Sequence, residues 1–518
     1  KSREEKPFAS MFPSLDQVRE VCVVSDFEAR LLQSMESPIV LLRKKSGVNA
    51  LDHTAPSQNH LGFMLPYTPL HLLLLEPEDG YPDVLVMTSG NISEEPIAYL
   101  DDDAQARLSS LADAFLQHNR PIHMRVDDSV VRVVDNQVYP IRRSRGYAPE
   151  PIQMDRDFPQ ILGCGAELKN TFSLSRDHYV FLSHHIGDLE NIETLSSYEQ
   201  AVHHYRSLYR VEPELVAVDL HPDYLSTRYG EKVSNSSEIP LIRIQHHHAH
   251  LASCLADNNY NSEDPVIGLI FDGTGYGTDG NIWGGEVLIG GYRGYNRRFH
   301  LQETPLPGGE FAIRNPSKIA LAFLYASGID WASTLPPVSQ YNEIQLQTLH
   351  KQLAQNINCL HTTSMGRFFD AVSSLMGIRH HITYEGQAAI ELENLCDPDE
   401  NKCYDIPISR NTINSFDVFP QLITDMRNKV LKSRISARFH NGIAKSCLDV
   451  CNKIRNESGI NKVALSGGVW QNTTLLEKTL SLLKNASFEV FMHNRVPTND
   501  GGISIGQILI AAATIKNT

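Results

Sequence analysis

The feature that most constrains this chain is an apolar run that stops on an acid and a cluster of glycines. Residues 265–271 are mostly apolar and close on Asp272-Gly273-Thr274-Gly275-Tyr276-Gly277. Residues 215–218 end in Asp219, and residues 462–465 end in Ser466-Gly467-Gly468, ahead of a helical run over 473–483. Strands that break at glycine-rich turns and give way to helices predict an α/β architecture. Further strand-like runs cover 38–42, 84–87, 171–174, 179–182 and 489–492. Helical patterns cover 367–375, 437–451 and 503–513. In an open α/β sheet the groups just past the carboxyl ends of strands are the ligand-binding ones, which makes Asp272 and the glycine loops the first candidates.

A second pattern gives those acids something to do. In Gln245-His246-His247-His248-Ala249-His250, His246 and His250 are four residues apart. On a helix both rings leave the same face and can grip one metal ion. His247 and His248 point elsewhere and are weaker candidates. Asp500, in Asn499-Asp500-Gly501-Gly502, offers a second carboxylate beside Asp272. Two imidazoles with carboxylates suit zinc or iron. The loop Asp272–Gly280 carries four glycines in nine residues, a density that lets backbone N–H groups approach an anion. It lacks the Gly-Lys-Ser/Thr ending of a Walker A loop, and a tight hairpin would use the same residues. Ser466, Gly467 and Gly468, between a strand and a helix, form a second anion cradle, and Asn472 is placed to hydrogen-bond a base or ribose. No Gly-x-Ser-x-Gly elbow or activated cysteine occurs, so the chemistry points to positioning and charge stabilisation.

The 518 residues imply more than one domain. A formal net charge of −15 speaks against broad nucleic-acid binding. The eight cysteines include no Cys-x-x-Cys pair, which excludes a cysteine zinc finger and suits a reduced, cytoplasmic protein. No apolar run of about 18 residues is present, so no membrane span is expected. The polar start, without an initiator Met, suggests a fragment of a longer protein. Residues 1–148 form a first block, in which Thr88-Ser89-Gly90-Asn91 follows a strand and offers hydroxyls and amides to an anion; it also reads as a plain turn. The block ends on Arg142, Arg143 and Arg145, a possible phosphate or carboxylate clamp or a solvated basic turn. Pro149 and Pro151 mark a linker over 149–158, and 159–518 form the second domain.

Together these stretches resemble the HypF carbamoyltransferases, maturation factors of [NiFe] hydrogenases. The matching segments in the second domain are 165–171, 185–191, 245–250, 272–280, 366–372, 384–388, 466–472 and 499–502. In the first block they are Lys1-x-Arg3, 6–9, 65–71, 88–91, 118–120 and 142–149, which resemble a YrdC-like domain. The resemblance implies a YrdC-like α/β domain lacking its first strands, followed by a two-lobed ASKHA-type (actin/Hsp70-like) α/β domain. It implies that carbamate, from carbamoyl phosphate, is joined to ATP with Mg to give carbamoyl-adenylate. The carbamoyl group then passes to the C-terminal cysteine of the partner HypE. Lys1, Arg3, Thr88, Ser89 and Asn91 fall on the small-acid and nucleotide positions of the first domain, Lys1 and Arg3 as catalytic residues, and Arg143 and Arg145, in the matching stretch 142–149, are expected to bind the nucleotide as well. His246, His250, Asp272 and Asp500 fall on the metal ligands, with His246, His250 and Asp272 also catalytic. Gly273, Thr274, Gly275, Asp370, Gly386, Ser466–Gly468 and Asn472 fall around the nucleotide. The family's acylphosphatase-like domain and its two Cys-x-x-Cys modules are absent from this sequence. Two related readings share these domain types. A small-molecule O-carbamoyltransferase would carry the metal domain first, and a threonylcarbamoyl-adenosine tRNA modification protein is disfavoured by the acidic charge.

Overall fold

The computed structural model describes residues 5–48, 51, 53–92 and 95–515. The chain divides into two compact units, Lys1–Ile244 with His493–Thr518, and Gln245–Met492. The second domain expected from sequence, 159–518, is therefore shared between them.

The first unit holds two sheets. One is mixed, in the order Leu85–Met87, Ala9–Met11, His60–Met64, Ile39–Lys44, Val130–Val134, Gln137–Arg142, with Cys22–Val23 paired to Ile39–Lys44. Its core of Val18, Leu42, Phe63 and Val131 is fully enclosed. The helix Asp26–Leu32 on this sheet starts at a capping box, Ser25 and Glu28 satisfying each other's backbone N–H groups. The other sheet runs Leu241–Ile244, Leu215–Asp219, Ile161–Gly163, Ser173–Leu182, Ile152–Phe158. Residues 171–174 and 179–182, expected as separate strands, belong to the single strand Ser173–Leu182. A register shift follows Asp177, which sits at φ 52, so the polar break in the pattern is a bulge and not a turn. Ile152–Phe158, inside the stretch expected as a linker, pairs antiparallel with that strand.

The closing helix Ile503–Ile515 is apolar nearly all round, and its residues 503–512 are buried. It lies against Ile161–Gly163 so closely that a Cβ on Gly163 would stand 2.6 Å from the Ser504 carbonyl oxygen. Gln507 clamps the next turn, accepting the Gly165 N–H and donating to the Gly165 carbonyl.

The second unit is built on a sheet in the order Ile408–Ser409, Thr412–Ile413, Gly294–Leu301, Gly285–Gly291, Val266–Phe271, Lys462–Ser466, Glu489–Phe491. Val266–Phe271 lies inside it, antiparallel to Gly285–Gly291 and parallel to Lys462–Ser466. Every residue of that strand is buried, which is why it reads as a continuous apolar run and not as an alternation. The helix Lys432–Ser458 is far longer than the 437–451 pattern, and ends where Gly459 turns left-handed at φ 77. Among the described residues no helix is long and apolar enough to cross a membrane.

Candidate active site

The helix His246–Asp257 is started by Gln245, whose side-chain oxygen accepts the His248 N–H. The Gln245 amide nitrogen donates to the Tyr276 carbonyl, linking the helix start to the glycine loop. Helical spacing brings the rings of His246 and His250 to 5.0 Å between centroids, both fully buried. Their Nε2 atoms lie 3.5 and 2.9 Å from Asp272 Oδ2. The other carboxylate oxygen, Oδ1, accepts the Gly273 N–H at 2.8 Å and the Gly468 N–H at 3.2 Å. Asp272 is 7% exposed. Burial pushes its carboxyl up, but the hydrogen bonds and charge of His246 and His250 outweigh this and hold it well below the usual carboxylate range.

The glycines around this carboxylate have steric reasons. Gly467 sits at φ 106, and a Cβ there would meet the Phe271 carbonyl oxygen at 2.2 Å. That close crossing lets the Gly468 amide reach Asp272. A Cβ on Gly275 would stand 2.4 Å from His247 Cε1, so the loop lies directly on the histidine helix. His247 Nδ1 faces the Gln245 amide, and burial keeps the ring well below its ordinary pKa. His248 bonds the Gly291 carbonyl through Nε2, and burial lowers it to about 4.

Sequence reasoning missed what braces the loop. Glu286 is fully buried and accepts from Arg297 Nε at 2.6 Å, from the Gly284 N–H and from the Thr363 hydroxyl. Arg297 also stacks on Trp283 and reaches Asp279, which takes the Trp283 indole N–H. The Glu286–Thr363 and Arg297–Asp279 pairings span separations of 77 and 18 residues and carry no local pattern.

The helix Met365–Leu375 docks against the same loop. Ser364, its N-cap, donates its hydroxyl toward the Asp272 and Gly273 carbonyls, and the Gly366 N–H donates to the Asp272 carbonyl. Asp370 is buried one turn further on, 2.6 Å from Arg367 Nη1. Burial raises its carboxyl, against the pull of Arg367. Gly386 takes φ 72 to start the helix Gln387–Asn394. Thus the second unit brings together His246, His250, Asp272, Gly273, Thr274, Gly275, Gly467 and Gly468, with Ser466 buried at its strand end.

Asn472 has structural work as well: its oxygen accepts the Leu475 N–H as a helix cap and its amide donates to His440 Nε2. His440 in turn presents Nδ1 to the Ser436 carbonyl.

In the first unit, Lys1 and Arg3 lie outside the described residues. Thr88, Ser89 and Asn91 follow the edge strand Leu85–Met87. There Ser89 donates to Asn91, and Asn91 to the Glu95 carbonyl. Arg143 and Arg145, expected as an anion clamp, have structural work. Arg143 is buried and donates to the carbonyls of Leu182, Tyr147 and Glu150. Arg145 pairs with Asp128 at 2.7 Å, donates to the Ser37 carbonyl and stacks on Tyr67. Asp500 opens the short turn Asp500–Gly502, fixed by Asn499, whose oxygen accepts the Gly501 N–H and whose amide donates to the Ile141 carbonyl.

Family models described as the second subdomain of the carbamoyltransferase Kae1-like domain and as the HypF Kae1-like domain match residues 268–507 and 156–257. The Sua5/YciO/YrdC model, described as telomere recombination, matches residues 1–144. Carbamoyltransferase HypF of Synechocystis sp. is 37% identical over 530 residues, covering 98% of this chain and 67% of that protein. HypF of Rhodobacter capsulatus is 38% identical, covering 100% and 68%. The chain belongs to the HypF carbamoyltransferase family. A crystal structure of full-length HypF in the phosphate- and nucleotide-bound form superposes with a TM-score of 0.93 at 44% identity, covering 100% of this chain and 80% of that one. As a HypF protein the chain is a carbamoyltransferase with a role in hydrogenase maturation. The expected fold class, YrdC-like followed by ASKHA-type, is the family's own.

Proposed function

We propose that the chain makes carbamoyl-adenylate from ATP and carbamate, the latter released from carbamoyl phosphate, and transfers the carbamoyl group to the C-terminal cysteine of HypE. The domain assignment goes with it: residues 1–148 act in adenylation, through Lys1, Arg3, Thr88, Ser89 and Asn91, and residues 159–518 in transfer. The observation that carries this reading is the buried convergence of His246 and His250 on Asp272 beneath a glycine loop. A 44% identical relative whose crystal structure is phosphate- and nucleotide-bound supports the use of a nucleotide, read here as ATP with Mg.

The donor set fits a divalent metal. Ligand atoms of His246, His250 and Asp272 lie within 4.8 Å of one another, and two imidazole nitrogens with a carboxylate oxygen suit zinc or iron. The family resemblance adds Asp500 as a fourth ligand. A metal held there would supply Lewis-acid polarisation of a carbamoyl or phosphate oxygen. The chain's own groups do the rest. Gly273 and Gly468 fix the Asp272 carboxylate through their N–H groups, so the two histidines meet a rigid partner. The glycine density of the loop Asp272–Gly280 lets the adenylate approach its backbone N–H groups. In the transfer step the thiol sulfur bonds to the carbamoyl carbon while the carbon–oxygen bond to phosphate breaks. AMP leaves and the thiol proton passes to solvent.

The test is to incubate the protein with ATP, carbamoyl phosphate or carbamate, and purified HypE, and read the partner's terminal peptide by mass spectrometry. A thiocarboxamide on the last cysteine is expected. Its absence with a folded protein that still binds AMP refutes the reading.

A further inference from the structure

We propose that Arg367 is a further catalytic residue, one that receives the phosphate of the adenylate and stabilises AMP as it leaves. The inference deepens the proposed function and rests on it.

Arg367 is 8% exposed, so its guanidinium has been taken out of water and needs partners. Among the described residues its ion-pair partner is Asp370. Nη1 lies 2.6 Å from Asp370 Oδ2 in a skewed contact, and neither Nη1 nor Nε reaches a hydrogen-bond partner among the described residues. A guanidinium offers five N–H donors in a planar fork. Leaving a buried donor unmet is costly, so donors held open inside a fold are a reservoir for a ligand.

Position says which ligand. Nη2 is 3.3 Å from where a Cβ on Gly273 would stand, which sets the fork against the glycine that follows Asp272. The backbone crowding is mutual: a Cβ on Gly366 would lie 3.0 Å from Gly273 Cα. The eleven-residue helix Met365–Leu375 therefore presents its first turn, with the Arg367 fork, to the loop in which glycine density lets an anion approach. Bidentate geometry suits a phosphate with two free oxygens. As the carbon–oxygen bond of carbamoyl-adenylate breaks, the bonding pair stays with the phosphate oxygen and adds a negative charge there. Preorganised donors at that oxygen stabilise the transition state more than the ground state.

The experiment is isothermal titration of AMP and of adenosine on the full chain, with R367Q and R367K, and transfer kinetics alongside. AMP sites are counted per chain, because the N-terminal domain offers an adenylate site of its own. The wild type should bind AMP more tightly than adenosine at the Arg367 site. R367Q should weaken that AMP site about tenfold to a hundredfold and leave adenosine unchanged. Its kcat for transfer should fall about a hundredfold to a thousandfold, with ATP–pyrophosphate exchange intact. R367K, a point charge without the fork, should recover part of the AMP affinity. AMP and adenosine bound equally by the wild type would overturn the assignment without any variant, as would parallel loss of both in R367Q. Failure of thiol carbamoylation with the AMP preference intact would sink the proposed acceptor chemistry and leave Arg367 as the phosphate residue.

Discussion

Replacing Gly467 with alanine probes the crossing that delivers an amide to Asp272. At φ 106 and ψ 157 the residue occupies a region essentially reserved for glycine. Forcing an L side chain there costs about 1–3 kcal/mol. The new Cβ would also stand 2.2 Å from the Phe271 oxygen and 2.7 Å from its carbonyl carbon, both backbone atoms of a central strand that cannot swing aside. Overpacking of that kind adds about 1–3 kcal/mol, for a total of about 2–6 kcal/mol. Gly459 provides the control. It also has positive φ, at 77, but an added Cβ meets nothing within 4 Å, so G459A should cost about 1–2 kcal/mol from conformation alone. With a urea m-value of roughly 3 kcal/mol/M, a loss of about 4 kcal/mol moves the midpoint by about 1.3 M for G467A, against about 0.5 M for G459A. Tryptophan fluorescence suits the assay, since Trp470 is buried three residues from the substitution and stacks on Phe271. In native buffer G467A should also lose transfer activity, because the Gly468 N–H leaves Asp272. Equal midpoints for the two variants would refute the steric argument.

Other expectations are quicker to state. H250A should strip the bound metal, measured by elemental analysis, and abolish transfer while adenylate formation by the N-terminal domain continues; transfer surviving metal loss would separate the two. N472A removes a helix cap and the donor to His440, and should cost about 2 kcal/mol in denaturant titration with nucleotide affinity nearly unchanged. Glu167 is raised to about 7 by burial, against the opposing N–H groups of Leu225 and Ser226. A raised acid holds its proton more tightly folded than unfolded. Its contribution is therefore fully present below its ordinary value of 4.5 and is lost as pH rises through about 7. Stability should fall between pH 5 and 8 in the wild type more steeply than in E167Q; superimposable profiles would remove Glu167 from the account.

What could be read from sequence was short-range. The spacing of His246 and His250 fixes a shared helix face wherever the helix lies, and the acid after residues 265–271 marks a strand end by turn chemistry alone. Long-range pairing was not readable. Arg367 meets Gly273, Glu286 meets Thr363, and Asn472 meets His440 across separations that leave no periodic trace. Clustered arginines suggested an anion clamp, yet Arg143 donates to three carbonyls of the fold. Two prolines suggested a linker, while Ile152, Met154 and Phe158 already alternate with exposed residues as a half-buried strand should.

The discontinuous first unit has a consequence for how the chain is made. Gln245–Met492 is contiguous and has its whole sheet available once its last residue emerges from the ribosome. The unit that precedes it in sequence must wait. The floor under Ile161–Gly163 and the clamp on Gly165 are supplied by residues 503–515, the last described stretch of the chain. During synthesis the later-made unit can settle first, while the sheet around Ile161–Gly163 keeps an apolar face open until residues 503–515 have emerged. Removing that helix would therefore damage a sheet made long before it, and chaperone dependence should track the time between translation of residue 244 and emergence of residue 515.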